Sequence, residues 1–146
     1  MFKLFLDTNV LLDAVGLQRE GHASARRLLL VDPRKATLGI SAGSLKDFYF
    51  IAGRAKAGIG QCGGLDDAER RRWIGVFMDL ASVLPDDEHT ASAALESNEP
   101  DYEDGTKRAA AEIWEADWII TRDSSRHAFE RSMIPTTTAA RIIQRL

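Results

Sequence analysis

Short apolar runs alternate with helix-like stretches along the first part of the chain. Residues 2–6 are an apolar run interrupted only by Lys3, which predicts a buried first strand. Asp7-Thr8-Asn9 follows at once, and residues 10–15 resume the spacing of an apolar helix. Residues 23–30 predict a second helix that ends before Pro33. This order of strand, polar turn and helix is typical of one β-α unit.

The same alternation continues to the end of the chain. Ser41 can cap a helix reaching about residue 57, and the four glycines of residues 58–64 predict a loop. The remaining pattern predicts strands over 37–40, 82–84 and 118–121, and helices starting at Asp66 or Asp67, over 86 or 87 to 97, over 102–115 and over 141–146. Alternating strands and helices favour an α/β fold with a mostly parallel sheet. With no repeat or linker, we expect one domain over residues 1–146.

Charge and cysteine content narrow the class of protein. The net charge of −3 argues against non-specific wrapping of nucleic acid, which requires a strongly basic face. Cys62 is the single cysteine, so an internal disulfide and a cysteine-based zinc cluster are excluded. The first residues are too short an apolar run for a signal peptide or a membrane span. We therefore expect a cytoplasmic protein without membrane contact.

Two aspartates directly follow predicted strands. Asp7 comes after the first strand, and Asp123 comes just after the strand that ends with Thr121. Ligands of open α/β sheets bind at the carboxyl ends of the strands, so both carboxylates can lie at one edge of the sheet. Each can instead serve only as a helix cap, and from either position alone both interpretations stay open.

A third acidic position lies at the start of the helix over 102–115. Acids in a first turn complement the helix dipole, which accounts for Asp101 and Glu103. Asp104 is different, because the alanine run of residues 109–111 indicates close packing of this helix against the sheet. Asp104 can therefore point over the sheet edge, although Asp101 is a rival for the same role.

A fourth acid, Asp47, lies within a helix between aromatic residues. If its side chain points inward, it needs a partner or a metal ion; the alternative is a solvated helix face. Several carboxylates at one edge would repel one another, and a divalent cation resolves that repulsion. Ligation by oxygen atoms alone suits Mg²⁺ or Mn²⁺ rather than Zn²⁺.

The order of these motifs resembles that of the PIN-domain family, the fold of VapC-type toxin ribonucleases. The matching segments are FLDTNVLLD, ISAGSLKDFYFIAGR, DYEDGTKRAAAE and WIITRD, at residues 5–13, 40–54, 101–112 and 118–123. The resemblance implies a three-layer α/β/α sandwich with a mostly parallel central sheet. It also implies hydrolysis of RNA phosphodiester bonds that depends on Mg²⁺ or Mn²⁺.

The resemblance also implies roles for particular residues. Asp7, Asp104 and Asp123 match the first, third and fourth family acids and would hold the metal. Asp47 stands where the family usually has glutamate, so its shorter carboxylate would reach the ion through water. Four acids are thus catalytic candidates, and Asn9 and Thr121 match polar residues that support the site.

The resemblance implies partners as well: an RNA substrate, a cognate antitoxin protein and a second copy of the chain. Trp73 and Phe77 are candidates for the surface buried in a homodimer, and they can equally belong to the core. Candidate phosphate contacts are Arg54, Lys56, Arg122 and Arg126, each of which can equally be solvated surface. The alternatives are a non-catalytic PIN-like domain that binds RNA or protein, and a housekeeping RNA-processing nuclease.

Overall fold

The central element is a five-stranded sheet in which every pairing is parallel. A computed structural model describes residues 1–54, 64–122 and 127–146. The strand order is β3-β2-β1-β4-β5. The strands are β1 (Phe2–Leu6), β2 (Ala36–Ser41), β3 (Ser82–Leu84), β4 (Trp118–Ile120) and β5 (Thr136–Thr137).

Helices connect the strands and cover both faces of the sheet. They are α1 (Thr8–Val15), α2 (His22–Leu29), α3 (Ala42–Ala52), α4 (Asp67–Leu80), α5 (Glu88–Glu96), α6 (Tyr102–Ile113) and α7 (Ala139–Ile143). One apolar cluster joins β1 and β2 to α1–α4 and α7, and includes the fully buried Leu6, Leu28 and Phe48. A second cluster joins the opposite face, including Phe5 and Ile119, to Ala110 and Ala111 of α6. The predicted three-layer α/β/α sandwich is confirmed.

The connections make β1 the centre of the sheet and define where a pocket can form. After β1, helices α1 and α2 lead to β2 on one side, and α3 and α4 lead on to β3. Helices α5 and α6 then carry the chain back past β1, so that β4 pairs with its other edge. Parallel connections that leave a strand in opposite directions open a crevice at its carboxyl end. The crevice in this fold lies between the ends of β1 and β4.

Side-chain caps fix where most of the helices start. Aspartates cap α1, α4, α5 and α6, and each accepts a hydrogen bond from a backbone N–H in the first turn. Ser41 caps α3 in the same way, since its hydroxyl accepts from the Ser44 N–H at 3.0 Å. Such caps satisfy donors that have no partner within the helix. They also fix the direction in which each helix leaves the sheet.

The structure differs from the sequence-based expectation at the ends of two helices and at one strand. Helix α3 ends at Ala52 with Gly53 as its cap, not near residue 57. Strand β5 was not predicted, because two threonines carry no apolar alternation. Helix α7 begins at Ala139 rather than 141, because the Thr138 hydroxyl caps it by accepting from the Arg141 N–H. The predicted glycine loop lies almost wholly in residues 55–63, outside the described part of the chain.

Of the two side chains considered for a homodimer surface, Trp73 and Phe77, the structure places Phe77 in the core of the chain. Phe77 is fully buried within the chain, edge-on to the Phe48 ring at a centroid distance of 5.0 Å. Trp73 is partly buried and packs against the same core. Phe77 therefore cannot contribute to an interface between copies of the folded chain.

None of the helices in the described part of the chain has both the length and the apolar character needed to cross a membrane.

Candidate active site

Asp7 lies at the crevice, immediately after β1, and its two carboxylate oxygens have different partners. Oδ1 accepts a hydrogen bond from the Thr8 N–H at 2.8 Å and thereby caps α1. Oδ2 accepts from the Thr121 hydroxyl at 2.9 Å. Because Thr121 directly follows β4, the Asp7 carboxylate joins the ends of the two central strands. The side chain is buried and held from two directions.

Asn9 and Thr121 form a polar network around this carboxylate. The Asn9 amide donates to the Thr121 hydroxyl oxygen at 3.2 Å. Its carbonyl oxygen accepts from the Arg122 N–H at 3.1 Å. The amide of Asn9 thus ties the first turn of α1 to the chain after β4. The structure places both predicted supporting residues next to Asp7.

A pocket of about 690 Å³ opens at this point and collects acids from three helices. Asp7 lines it from the start of α1, Asp47 from the middle of α3, and Asp104 from the first turn of α6. Asp101 and Glu103 line it as well. Asp123 lies outside the described residues, so its position relative to these acids stays a prediction.

Lys107 lies among these acids. Its ammonium group is 3.4 Å from Asp47 Oδ2, 3.4 Å from Glu103 Oε1 and 3.7 Å from Asp7 Oδ1. The side chain is buried, which by itself lowers the pKa of Lys107. The surrounding carboxylates outweigh that effect and raise its pKa above the usual value, so the group is charged at neutral pH.

Two of the acids have raised pKa values. Burial raises the pKa of Asp104 to about 6, opposed by Lys107 and reinforced by the charges of Asp101, Asp7 and Glu99. Burial also raises the pKa of Asp47; a hydrogen bond with Glu103 adds to the rise, and Lys107 opposes it. Crowded acids of this kind lower their free energy by binding a cation.

Asp101 and Asp104 take different positions at the start of α6. Asp101 caps the helix, and its Oδ1 accepts from the Asp104 N–H at 3.0 Å. Asp101 was expected to complement the helix dipole, and the structure shows that it also caps α6 through this hydrogen bond. Asp104 lies one turn further on, and both acids line the pocket. Asp104 therefore stays the predicted third acid of the metal site, with Asp101 as the alternative.

Two arginines lie at the rim of the pocket, and only one of them, Arg122, was a predicted phosphate contact. Arg122 and Arg19 line the pocket, and both contact the buried Asp13 Oδ1, at 3.1 and 2.7 Å. Asp13 ends the first motif of the sequence, yet its spacing gave no reason to connect it to Arg19. Only the turn between α1 and α2 brings them together.

The other predicted phosphate contacts lie elsewhere. Arg54 is not among the described residues that line the pocket; its guanidinium packs over the Phe50 ring at 4.6 Å from the ring centroid. Lys56 and Arg126 lie outside the described residues. Of the four predicted contacts, Arg122 is the one the structure places at the pocket. Glu103 and Lys107, both in the sequence motif of α6, are pocket residues to which we had assigned no functional role.

The residues of the pocket suit a hydrated Mg²⁺ or Mn²⁺ ion in their chemistry. All its acidic donors are oxygen atoms. Thr8 also lines the pocket, and its buried hydroxyl has no hydrogen-bond partner among the described residues. Within the described ranges, however, no three acids or histidines converge closely enough to ligate one ion. Lys107 lies between the carboxylates, and the predicted ligand Asp123 is not described.

An α/β/α domain with an acid-lined pocket at the carboxyl ends of its central strands defines the class of this protein. A family model described as "PIN domain" matches residues 3–125, most of the chain. The chain therefore belongs to the PIN-domain family, as its motifs indicated. A comparison with curated proteins found no match.

Solved structures with a similar fold include a VapC toxin, a VapBC assembly and a toxin-antitoxin complex. Mycobacterium tuberculosis VapC20, a Sarcin-Ricin loop cleaving toxin, superimposes with a TM-score of 0.65 at 16% identity, covering 86% of this chain and 93% of that one. VapBC2 from Rickettsia felis, bound to a promoter DNA fragment, gives 0.62 at 13% identity, covering 93% and 98%. A toxin-antitoxin complex from Klebsiella pneumoniae gives 0.61 at 17% identity, covering 92% and 96%. At these identities the likeness establishes the VapC-type fold.

Proposed function

We propose that this chain is an endoribonuclease that depends on Mg²⁺ or Mn²⁺ and acts as the toxin of a toxin-antitoxin pair. The observation that carries the proposal is that Asp7, Asp47 and Asp104 line one pocket of a PIN domain, at the crevice between β1 and β4. These are the acids that the sequence motifs single out. The same fold occurs in VapC20, which is described as a Sarcin-Ricin loop cleaving toxin.

In this proposal the acids hold the metal, and the network behind them keeps Asp7 in place. A bound Mg²⁺ or Mn²⁺ ion would activate a water molecule and neutralise charge on the phosphodiester. Asp7 and Asp104 would be ligands together with Asp123, and Asp47, with its shorter side chain, would act through water. Thr121 and Asn9 hold the Asp7 carboxylate in one orientation, which preorganises the site.

The rim of the pocket suits a nucleic-acid backbone. Arg122 is partly exposed, and it shares Asp13 with Arg19 at the pocket's edge. The Arg122 guanidinium, oriented by a buried acid and exposed to solvent, is placed to donate to phosphate oxygens. We assign RNA rather than DNA as the substrate on the strength of the family resemblance, with single-stranded or looped regions as the accessible form.

The proposed partners are a cognate antitoxin and a second copy of the chain. VapBC2 and the Klebsiella pneumoniae structure are assemblies of toxin with antitoxin, and this chain shares their fold. An antitoxin gene beside this one would separate the toxin from a housekeeping nuclease. Light scattering at tens of micromolar tests the homodimer; a monomeric mass would contradict it.

A second candidate function is a non-catalytic PIN-like domain that binds RNA or protein. Lys107 between the acids favours it, because a resident ammonium group already neutralises part of the charge that would attract a metal ion. A cleavage assay separates this function from the first.

The test is cleavage of a mixed cellular RNA pool with Mg²⁺ or Mn²⁺ by the wild type and by Asp7→Asn. We expect the variant to lose metal-dependent cleavage and to remain folded, because asparagine is nearly isosteric and still caps α1. Asp87→Asn is the matched control: Asp87 caps α5 in the same way and does not line the pocket. Retained cleavage by Asp7→Asn contradicts the proposed site, and a wild type without any metal-dependent cleavage favours the binding domain.

A further inference from the structure

The surroundings of the Lys107 ammonium group differ from those of the strongest ion pairs in the described part of the chain. Arg19 with Asp13 and Arg108 with Glu112 each include a close contact of 2.7 Å. Among the described residues, the ammonium group of Lys107 has three carboxylate neighbours, none nearer than 3.4 Å. It is thus shared among three acids rather than bound tightly to one.

The acids around Lys107 come from separate helices. Asp7 lies at the start of α1, Asp47 in α3 and Glu103 one turn before Lys107 in α6. Burying an ammonium group is unfavourable unless opposite charges compensate it. Without Lys107, these carboxylates would face one another in a partly buried pocket and repel. The lysine therefore connects three helices through charge.

A divalent ion bound by the pocket acids would draw on the same carboxylates. Asp7 Oδ1 and Asp47 Oδ2 are the atoms that Lys107 approaches. The ammonium group and the ion would also repel each other across a few ångströms. Binding of the ion and the present position of Lys107 are therefore in competition.

We propose that the Lys107 ammonium group is the resident cation of the pocket, holding Asp7, Asp47 and Glu103 together in the metal-free protein and competing with the divalent ion for them. Lys107 thereby limits the affinity for metal and acts as a positioning residue for the acids. The proposal rests on the proposed metal dependence. Lys107 thus keeps the acid cluster ordered before the metal ion binds.

The test compares Lys107→Met with Lys46→Met by calorimetric titration of MnCl₂ into the full chain after chelator treatment. Methionine matches lysine in length without its charge. Lys46 is exposed beside Asp47, does not line the pocket, and controls for the change in net charge. We expect Lys107→Met to bind Mn²⁺ roughly tenfold more tightly, the factor for a unit charge about 6 Å from a divalent ion in a water-like dielectric. Lys46→Met should change the affinity less than twofold, about the effect of an exposed charge.

A second readout is the melting temperature in the presence of chelator. Loss of Lys107 leaves its three acids unpaired, so Lys107→Met should melt below Lys46→Met without metal and recover when Mn²⁺ is added. If Lys107→Met does not fold, the ammonium nitrogen resonance of Lys107 in the ¹⁵N-lysine-labelled wild type replaces it, assigned by its absence in Lys107→Arg. A shift of that resonance on Mg²⁺ titration supports competition, and an unmoved resonance overturns it.

The outcomes distinguish this proposal from the proposed function. If the wild type binds Mn²⁺ and Lys107→Met binds it no more tightly, the role of Lys107 is overturned and metal dependence stands. If only Lys107→Met binds Mn²⁺, the resident cation is supported and metal dependence of the natural chain fails. If neither protein binds Mn²⁺, both proposals fail.

Discussion

Asp104 shows how the charge of a single residue in the pocket acts on the stability of the metal-free protein. Its folded-state pKa is raised to about 6, mainly by burial. An acid whose pKa is raised by folding binds more protons in the folded than in the unfolded state between the two pKa values. The free energy of unfolding therefore falls as the pH rises from about 4 through 6, and the charged group opposes folding at pH 7.

We predict that Asp104→Asn raises the melting temperature of the metal-free protein at pH 7. Removing a partly buried charge that opposes folding should stabilise the chain by on the order of 1 kcal/mol after solvent screening, or about 3 °C. At pH 5 the wild-type carboxyl is mostly protonated, so the difference should shrink there. Calorimetry at both pH values checks this, and a lower melting temperature of the variant at pH 7 would contradict it.

Arg122 carries a second prediction at the residue scale, which concerns substrate rather than stability. In the Asp7→Asn background, which prevents turnover, Arg122→Gln should weaken binding of single-stranded RNA. The slope of log affinity against log salt concentration should fall by about 0.7, the value for one phosphate contact. Arg34→Gln is the control, since Arg34 is exposed and pairs with Asp32. Equal slopes for the two variants would remove Arg122 from the RNA path.

The sequence predicted the site residues that follow the strands, but it did not predict Lys107, the helical residue that contacts their acids. Asp7 and Thr121 follow buried strands, so their meeting at one edge follows from the parallel sheet. The contacts of Lys107 with Asp7 and Asp47 depend on where α6 lies relative to α1 and α3 across the sheet edge. Helical spacing alone could not give that placement. Lys107 therefore had no predicted role.

At the scale of elements, the end of α6 packs closely on β2. A Cβ atom built on Gly39 of β2 would lie 2.6 Å from the Trp114 ring, which caps the carboxyl end of α6. The Lys3 ammonium group contacts Trp114 twice. It lies over the indole ring, and it donates to the Trp114 backbone carbonyl oxygen at 3.0 Å. The absence of a side chain at Gly39 thus sets the distance between the sheet and the helix that carries Asp104.

Gly39→Ala should therefore destabilise the protein by about 1–3 kcal/mol, the usual cost of overpacking. Gly105→Ala in α6 is the matched control. Its Cβ would meet Ala94 and Ser97 only at ordinary contact distances of 3.5 Å, and alanine favours a helix by up to about 1 kcal/mol over glycine. Urea unfolding of both variants checks the difference. If Gly39→Ala is as stable as the wild type, the packing of Trp114 does not fix this distance.

The elements that the sequence missed are those held by contacts distant in the chain. Strand β5 has two residues, and it exists because β4 offers a free edge for pairing at Ile119 and Ile120. Helix α3 stops at Ala52, where the Leu65 N–H bonds to the Ala52 carbonyl. Neither a free strand edge nor a returning segment leaves a pattern in the local sequence. The long apolar and amphipathic elements, which do, were predicted correctly.

For the molecule as a whole, the fold follows from the alternation of elements, and the site follows from the fold. Once β1 is central and its neighbours leave in opposite directions, the residues after β1 and β4 share one crevice. The small net charge of −3 conceals this arrangement, because the acids gather in the pocket while arginines lie at its rim. Within the described part of the chain, five acids are thus concentrated in this pocket.

That concentration leads to a prediction for the whole molecule: Mg²⁺ or Mn²⁺ should raise the melting temperature of the wild type. An ion that binds the folded state alone stabilises it by mass action, by about 2.7 kcal/mol at a hundred times the dissociation constant. It also compensates the partly buried charge of Asp104, whose pKa is raised mainly by burial and further by the neighbouring acids. Scanning calorimetry against metal concentration measures the shift, with Asp7→Asn expected to respond much less and Asp87→Asn to respond like the wild type. If the melting temperature of the wild type does not change up to millimolar ion, the acid cluster is not a metal site, and Lys107 alone balances its charge.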